Sequence, residues 1–276
     1  MSGDFRTASI VGLGLVGGSL ARDLAARGVR VRAYDTDERH LDDSVRAGIV
    51  SERIGPTLED IAADLVVIAV PVDVAADVLR RAAPFAGGAR LITDVGSTKT
   101  GIVEAARTLG IGHQFIGSHP MAGDHRSGWE ASRAGLFSDA RVYLCPSGAP
   151  TPALDLACRL WTGLGAHPEC VDATEHDRRL AWSSHLPHVV AASIAVAMAN
   201  AGISRGDLGP GGRDVTRLAG SSPEVWTAIA LENAAAIDAA LAGAEREIAS
   251  FRQALTNGDA GELRRRFVAA RNWFEV

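Results

Sequence analysis

The sequence predicts an α/β chain in two parts: an open, mostly parallel sheet covered by helices, then a bundle of helices. Three observations carry that prediction. Apolar runs rich in Val and Ile, without polar alternation, recur through the first half and alternate with helical periodicity. Strands of that kind are buried on both faces, as in a parallel sheet with helices on either side. A glycine-rich turn follows the first run. From Pro152 onward strand signals almost vanish, apart from His167 to Val171, and long alanine-rich stretches of good helix formers replace them. The division is expected between residues 1–153 and 154–276.

Taken in order, Thr7 to Val11 reads as a buried strand, and Gly12-Leu13-Gly14-Leu15-Val16-Gly17-Gly18 opens a helix over Ser19 to Ala26. Glycines in a strand–turn–helix context allow a tight turn and bring a pyrophosphate close to helix N–H groups. A second strand, Val29 to Tyr34, ends at Asp35. A carboxylate there can accept both ribose hydroxyls of adenosine and would repel a 2′-phosphate. Gly12, Gly14, Leu15, Val16, Gly17 and Asp35 are therefore expected to hold NAD, with Arg39 near enough to leave NADP open. The strand Leu65 to Val70 ends at Pro71, which sets Val70 and Pro71 beside the cofactor at the switch point of the sheet. A helix over Val72 to Ala83, a strand over Leu91 to Thr93, a helix over Lys99 to Leu109 and a strand through Phe115 and Ile116 continue the alternation. This is a Rossmann-type dinucleotide-binding domain. Val142 to Cys145 is expected to close its sheet.

The chemistry is expected in Gly117-Ser118-His119-Pro120-Met121-Ala122-Gly123, at the end of a strand. An imidazole with an ordinary pKa of ~6.5 can accept a proton at neutral pH and hand it on. The single lysine, Lys99, follows Asp94-Val-Gly-Ser97-Thr in a chain that otherwise supplies positive charge as arginine, which points to a place where a compact ammonium fits and a guanidinium fork does not.

In the second half, helices are expected over Leu154 to Leu164, Ala173 to Ala201, Pro223 to Leu255 and Glu262 to Trp273. His185 and His188 lie three apart, on one helical face, with Pro187 bending the helix between them. No third ligand completes a metal site around them, so none is expected. Arg213 and Arg217 present two forks suited to carboxylates, and Trp226 supplies an apolar wall. Asp124-His125-Arg126-Ser127 is a polar loop that touches substrate, forms a gate, or is simply solvated.

Net charge of −5 argues against nucleic acid or an anionic membrane as the main partner. No run approaches the ~18 uninterrupted apolar residues of a membrane span. Three cysteines without ligand spacing fit reduced thiols in a cytoplasm.

Taken together, the glycine fingerprint, Gly96-Ser97-Thr98-Lys99, Gly117-Ser-His119-Pro-Met-Ala-Gly123, Ser184-His185-Leu-Pro-His188 and Arg213-Asp-Val-Thr-Arg217 through Trp226 resemble the prephenate and arogenate dehydrogenases of tyrosine biosynthesis. The resemblance covers nearly the whole chain. It implies an all-helical dimerisation domain after the nucleotide domain, a homodimer, and oxidative decarboxylation of a cyclohexadienol acid with NAD or NADP. It implies that His119 bonds the ring hydroxyl, that Ser97 orients it, and that His188 contacts substrate, with His185 beside it. It also implies that Arg217 binds a carboxylate, that Arg213 is a basic position reaching a neighbouring subunit's site, and that Trp226 is near the pocket. His125 departs from the family, in which several members carry glutamate as part of a charged gate. A β-hydroxyacid dehydrogenase is the rival enzyme, but such proteins rely on a lysine in the helical half. A nucleotide-sensing protein without catalysis is the rival of another class. Prephenate against arogenate, and control by tyrosine, stay open.

Overall fold

The apolar runs of the first half become the central strands of one sheet. In this computed structural model, which describes residues 4–123, 126–148 and 152–275, the chain forms two units, Met1–Leu180 with Gly220–Asn233, and Ala181–Ala219 with Ala234–Val276. The first begins β1 (Thr7–Val11), α1 (Leu15–Ala25), β2 (Arg30–Tyr34), α2 (Glu38–Arg46), β3 (Val50–Arg53), β4 (Leu65–Ile68) and α3 (Val72–Ala82). It continues β5 (Leu91–Asp94), α4 (Thr100–Thr108), β6 (Phe115–Pro120), β7 (Arg141–Pro146), α5 (Pro152–Gly163), β8 (His167–Cys170) and α6 (Ala173–Leu180).

The strand order is β3-β2-β1-β4-β5-β6-β7-β8. Pairing is parallel from β3 to β6, antiparallel between β6 and β7, and parallel again between β7 and β8. The order reverses between β1 and β4, which creates the crevice where such sheets take ligands. Leu65, Val66, Val67 and Ile68 are all buried. Successive side chains of β4 enter opposite core layers: Leu65 and Val67 join Leu20, Leu24 and Trp161 from α1 and α5, whereas Val66 and Ile68 join Leu79 and Ile102 from α3 and α4. The uninterrupted apolar sequence thus reflects a strand with helices on both faces.

Two expectations need correction. The sheet is not closed by β7, because β8 pairs beyond it, Arg141 opposite His167 through Leu144 opposite Cys170. The sheet-bearing unit also runs past residue 153 to Leu180, since α5 lays Leu156, Leu160 and Trp161 into the core before β8 adds its strand. The helix α2 and the edge strand β3 were not anticipated. α2 buries only Leu41 and Ser44 and carries its signal in Asp37, whose side chain caps it by accepting from the Arg39 N–H.

The second unit opens with a π-helical turn, Ala181–His185, and continues with α7 (Leu186–Asn200) and α8 (Pro210–Val215). The chain then returns to the first unit for α9 (Pro223–Glu232), before α10 (Ala234–Thr256) and α11 (Ala260–Phe274) finish the second. The single helix expected over Pro223 to Leu255 is therefore two helices. The break falls at Asn233, which is buried and donates through Nδ2 to the Asp177 carbonyl at 2.8 Å. Within the second unit, the Trp182 ring lies so close over Gly243 that a Cβ there would stand 2.6 Å from it. Phe251 and Phe267 join α10 to α11 with ring centroids 5.3 Å apart.

Candidate active site

At the sheet's switch point the backbone is packed too closely for side chains. Gly12 has φ +98°, and a Cβ there would overlap the Ala69 carbonyl just past β4, with Val70 alongside. A Cβ on Gly17 would overlap the Gly12 carbonyl. Gly14, by contrast, faces open space and precedes α1 without a side-chain cap, so the first N–H groups of Leu15, Val16 and Gly17 form a cradle for an anion. Asp35, one residue past β2, holds the turn from below: its carboxylate accepts from the Leu13 N–H at 2.6 Å and from the Asp37 N–H at 2.8 Å. Pro71 precedes α3 directly. Arg39, the cation that left a phosphorylated ribose open, is exposed and pairs with the Asp37 carboxylate at 2.7 Å. This donor set fits an unphosphorylated dinucleotide.

His119 lies in β6, opposite Tyr143 of β7, and is only 8% exposed. The pleat sends its neighbour Ser118 the other way, where the Ser118 hydroxyl meets Thr93 at 2.8 Å and accepts from Trp161 Nε1 at 3.1 Å. His119 Nδ1 is 2.9 Å from His176 Nε2, and His176 Nδ1 is 2.8 Å from Asp177 Oδ1. Asp177 accepts in turn from the backbone N–H groups of Lys99 and Thr100, each at 2.8 Å, where α4 begins. Burial alone would raise the Asp177 carboxyl, but hydrogen bonds from His176, Thr100 and Lys99 outweigh it and hold it below the usual carboxylate range.

Lys99 is fully buried, and its ammonium is paired with Asp94. Asp94 also accepts from the N–H groups of Gly96 at 2.8 Å and Ser118 at 3.2 Å. Burial pushes the Asp94 carboxyl up, against the pull of the Lys99 ammonium. A Cβ on Gly117 would come within 3.3 Å of the Lys99 stem, which shows how little room the single lysine has. Ser97 sits half-buried in a turn tied at both ends, through Gly96 to Asp94 and through Lys99 to Asp177.

The structure brings His188 and Arg217 together in the second unit. Burial and the nearby Arg217 charge lower the His188 pKa, opposed by a hydrogen bond to the Leu218 backbone. The imidazole is therefore neutral at neutral pH. Arg217 and Arg213 are exposed, and among the described residues neither has a carboxylate within ion-pair distance. His185 is buried at the end of the π-helical turn, which replaces the regular helical face expected for the histidine pair. Trp226 lies half-buried on α9 of the first unit. Asp124 and His125 are outside the described residues. Among the described residues no three His, Cys, Asp or Glu side chains gather as a metal site.

His176, Asp177 and Asn233 were missed. His176 and Asp177 stand in Ala-Thr-Glu-His-Asp-Arg-Arg-Leu, a stretch so polar that it reads as a solvated helix, although both are buried. Their importance comes from partners far away in the chain.

The sequence matches the family model described as "Prephenate dehydrogenase, nucleotide-binding domain" over residues 20–170 and "Prephenate dehydrogenase, dimerization domain" over residues 172–269. It is 32% identical over 274 residues to a cyclohexadienyl dehydrogenase of Zymomonas mobilis, covering 95% of this chain and 93% of that protein. It is 34% identical over 279 residues to a prephenate dehydrogenase of Bacillus subtilis, covering 97% of this chain and 75% of that one. The crystal structure of prephenate dehydrogenase from Aquifex aeolicus with hydroxyphenyl propionate and NAD+ superposes with a TM-score of 0.89 at 28% identity, over 98% of this chain and 97% of that one.

Proposed function

The chain belongs to the prephenate dehydrogenase family of NAD-dependent oxidoreductases, and we propose that it converts prephenate to 4-hydroxyphenylpyruvate with His119 as the base. The observation that supports this most strongly is a buried imidazole on β6, backed by His176 and Asp177, in the unit that carries the glycine cradle and Asp35. Gly12, Gly14, Leu15, Val16, Gly17, Asp35, Val70 and Pro71 hold the dinucleotide.

The substrate ring carries a hydroxyl at one carbon and a carboxylate at the opposite carbon. NAD, held by these residues, would supply the hydride acceptor for the carbinol carbon. His119 takes the hydroxyl proton as that carbon becomes carbonyl-like. The bond to the ring carboxylate then breaks, its electron pair enters the ring, carbon dioxide leaves, and the oxygen recovers the proton from His119 as a phenol. No net proton is consumed.

Arg217, beside neutral His188, holds a substrate carboxylate through a charge-assisted bond worth about 1.5–3 kcal/mol. In the first unit Ser97 orients the ring hydroxyl and Trp226 offers an apolar wall; in the second, His185 and Arg213 serve the substrate, Arg213 as a second basic group.

The working form is a cytoplasmic homodimer. Val196, Ile248, Leu255 and Phe267 of the second unit are all more than half exposed, and the most apolar window within Ala173–Asn200, mean hydropathy 1.2, is only 22% buried within the chain. A second copy covering these helices accounts for both. Free Cys145, Cys158 and Cys170 fit a reducing compartment.

The test is NADH formation from prephenate and from arogenate, each with NAD and NADP. Turnover of prephenate with NAD is expected. Turnover of arogenate alone would move the assignment to the other substrate of the family, and the absence of turnover on both would contradict it.

A further inference from the structure

We propose that His176 and Asp177 are positioning residues that fix the proton of His119 on Nδ1, so that Nε2 carries the lone pair that accepts the substrate's hydroxyl proton. The proposal rests on the reading of His119 as the base and adds the reason why that base is competent.

A carboxylate can only accept. Asp177 accepts two backbone N–H groups at the start of α4, which keep it ionised. The hydrogen between Asp177 Oδ1 and His176 Nδ1, 2.8 Å apart, therefore belongs to His176. In its neutral form His176, with no exposed surface, has one N–H and has used it. Its Nε2 must accept, so His119 Nδ1, 2.9 Å away, must donate. A neutral imidazole that donates through Nδ1 bears its lone pair on Nε2. When Nε2 takes the substrate proton, the Nδ1–H keeps its bond to His176. The proton stays on His119 and does not travel down the chain.

The surrounding charges favour this arrangement. From β7, Tyr143 packs edge-on to His176 with ring centroids 5.3 Å apart, and its hydroxyl accepts from Arg141 at 3.1 Å. The Cys145 thiol on the same strand is pushed up to about 12 by burial and stays uncharged. The Lys99 ammonium is matched by Asp94. Asp172 lies just before α6, and on α9 Glu232, raised by burial and by Asp73 and Asp177, adds no competing cation. Among the described residues, Asp177 is thus the charge that orients the two rings. If His176 itself is protonated, its Nε2–H donates outward and forces the hydrogen of His119 onto Nε2, abolishing the base.

The test combines NMR of the histidine ring nitrogens with steady-state kinetics on the intact enzyme. In the wild type the His119 signal, identified by its loss in His119→Asn, should report hydrogen on Nδ1. In Asp177→Asn the charge is lost and the acceptor left for His176 is an amide oxygen shared with the Lys99 N–H, so the hold on both rings weakens, hydrogen appears on His119 Nε2 and kcat falls by about 10²-fold with a smaller change in KM. His176→Gln keeps an acceptor for His119 Nδ1 and should retain more activity than apolar His176→Leu, a comparison that still decides the matter if Asp177→Asn folds poorly. In the His119→Asn background none of these changes should lower kcat further. Hydrogen on Nε2 in the wild type, equal losses in the two His176 variants, or the same fold-loss with and without His119 would overturn the proposal. Wild-type kcat in His119→Asn would instead remove the base itself, while the NMR signal would still decide which nitrogen is protonated.

Discussion

The two units use their polar side chains in opposite ways. In the first, the charges are turned inward and matched: Lys99 with Asp94, and Asp177 with two N–H groups and a histidine, all buried. In the second, Arg213 and Arg217 stand exposed without a carboxylate among the described residues, and large apolar side chains such as Phe267, 65% exposed, face outward. Matched buried charges specify one geometry, which suits chemistry. Unmatched surface cations and bare apolar helices fit the anionic substrate and the second copy of the chain proposed above. On the proposed function, the reaction machinery lies in the sheet and the recognition surfaces lie in the helices.

The largest expected effect lies in the first unit. His119→Asn should lower kcat by about 10²–10⁴-fold with KM close to wild type, because only the proton acceptor is lost; a wild-type kcat would move the chemistry out of the sheet. Lys99→Met should follow, destabilising the protein by about 3–5 kcal/mol by leaving Asp94 buried without its partner. Denaturant unfolding would show this as a lower midpoint, and an unchanged midpoint would mean that the pair does not organise the turn around Ser97. In the second unit, Arg217→Ala should raise KM by roughly tenfold to a hundredfold, the equivalent of about 1.5–3 kcal/mol, and spare kcat. A fall in kcat alone would give Arg217 a part in the chemistry and blur the division between the units.

The smallest effect concerns His188. Its pKa is lowered, so the unfolded chain binds a proton more readily than the native one. Stability therefore rises with pH through this window. The contribution is complete above the ordinary histidine value and is lost as pH falls towards the lowered one. His188→Gln should flatten that part of the stability profile. An equally steep profile in the variant would assign the acid sensitivity to other groups.

How much of this was legible depended on whether a residue's partners are near it in the chain. The strands Thr7–Val11 and Leu65–Ile68 and the glycine turn announce themselves, because burial on both faces and close backbone packing leave local marks. Lys99 stood out by composition, and its burial explains why. β8 was read as a strand, but its place beside β7 was not visible, since an edge strand shows little periodicity. The break at Asn233 was hidden in an alanine-rich run that favours helix on either side; what stops the helix is a contact with Asp177, 56 residues away. His176 and Asp177 were invisible for the same reason: adjacent polar residues on a short charged helix look solvated until tertiary structure buries them against β6 and α4.

The proposed base is an imidazole in the sheet, with its lone pair on Nε2, that takes the proton of a ring alcohol. It is tested most directly by a crystal structure of this enzyme with NAD and a hydroxyphenyl analogue bound. The analogue's hydroxyl should lie within hydrogen-bond distance of His119 Nε2, on the side facing the nicotinamide. A hydroxyl bound to another group, with His119 Nε2 turned away from it, would contradict the account.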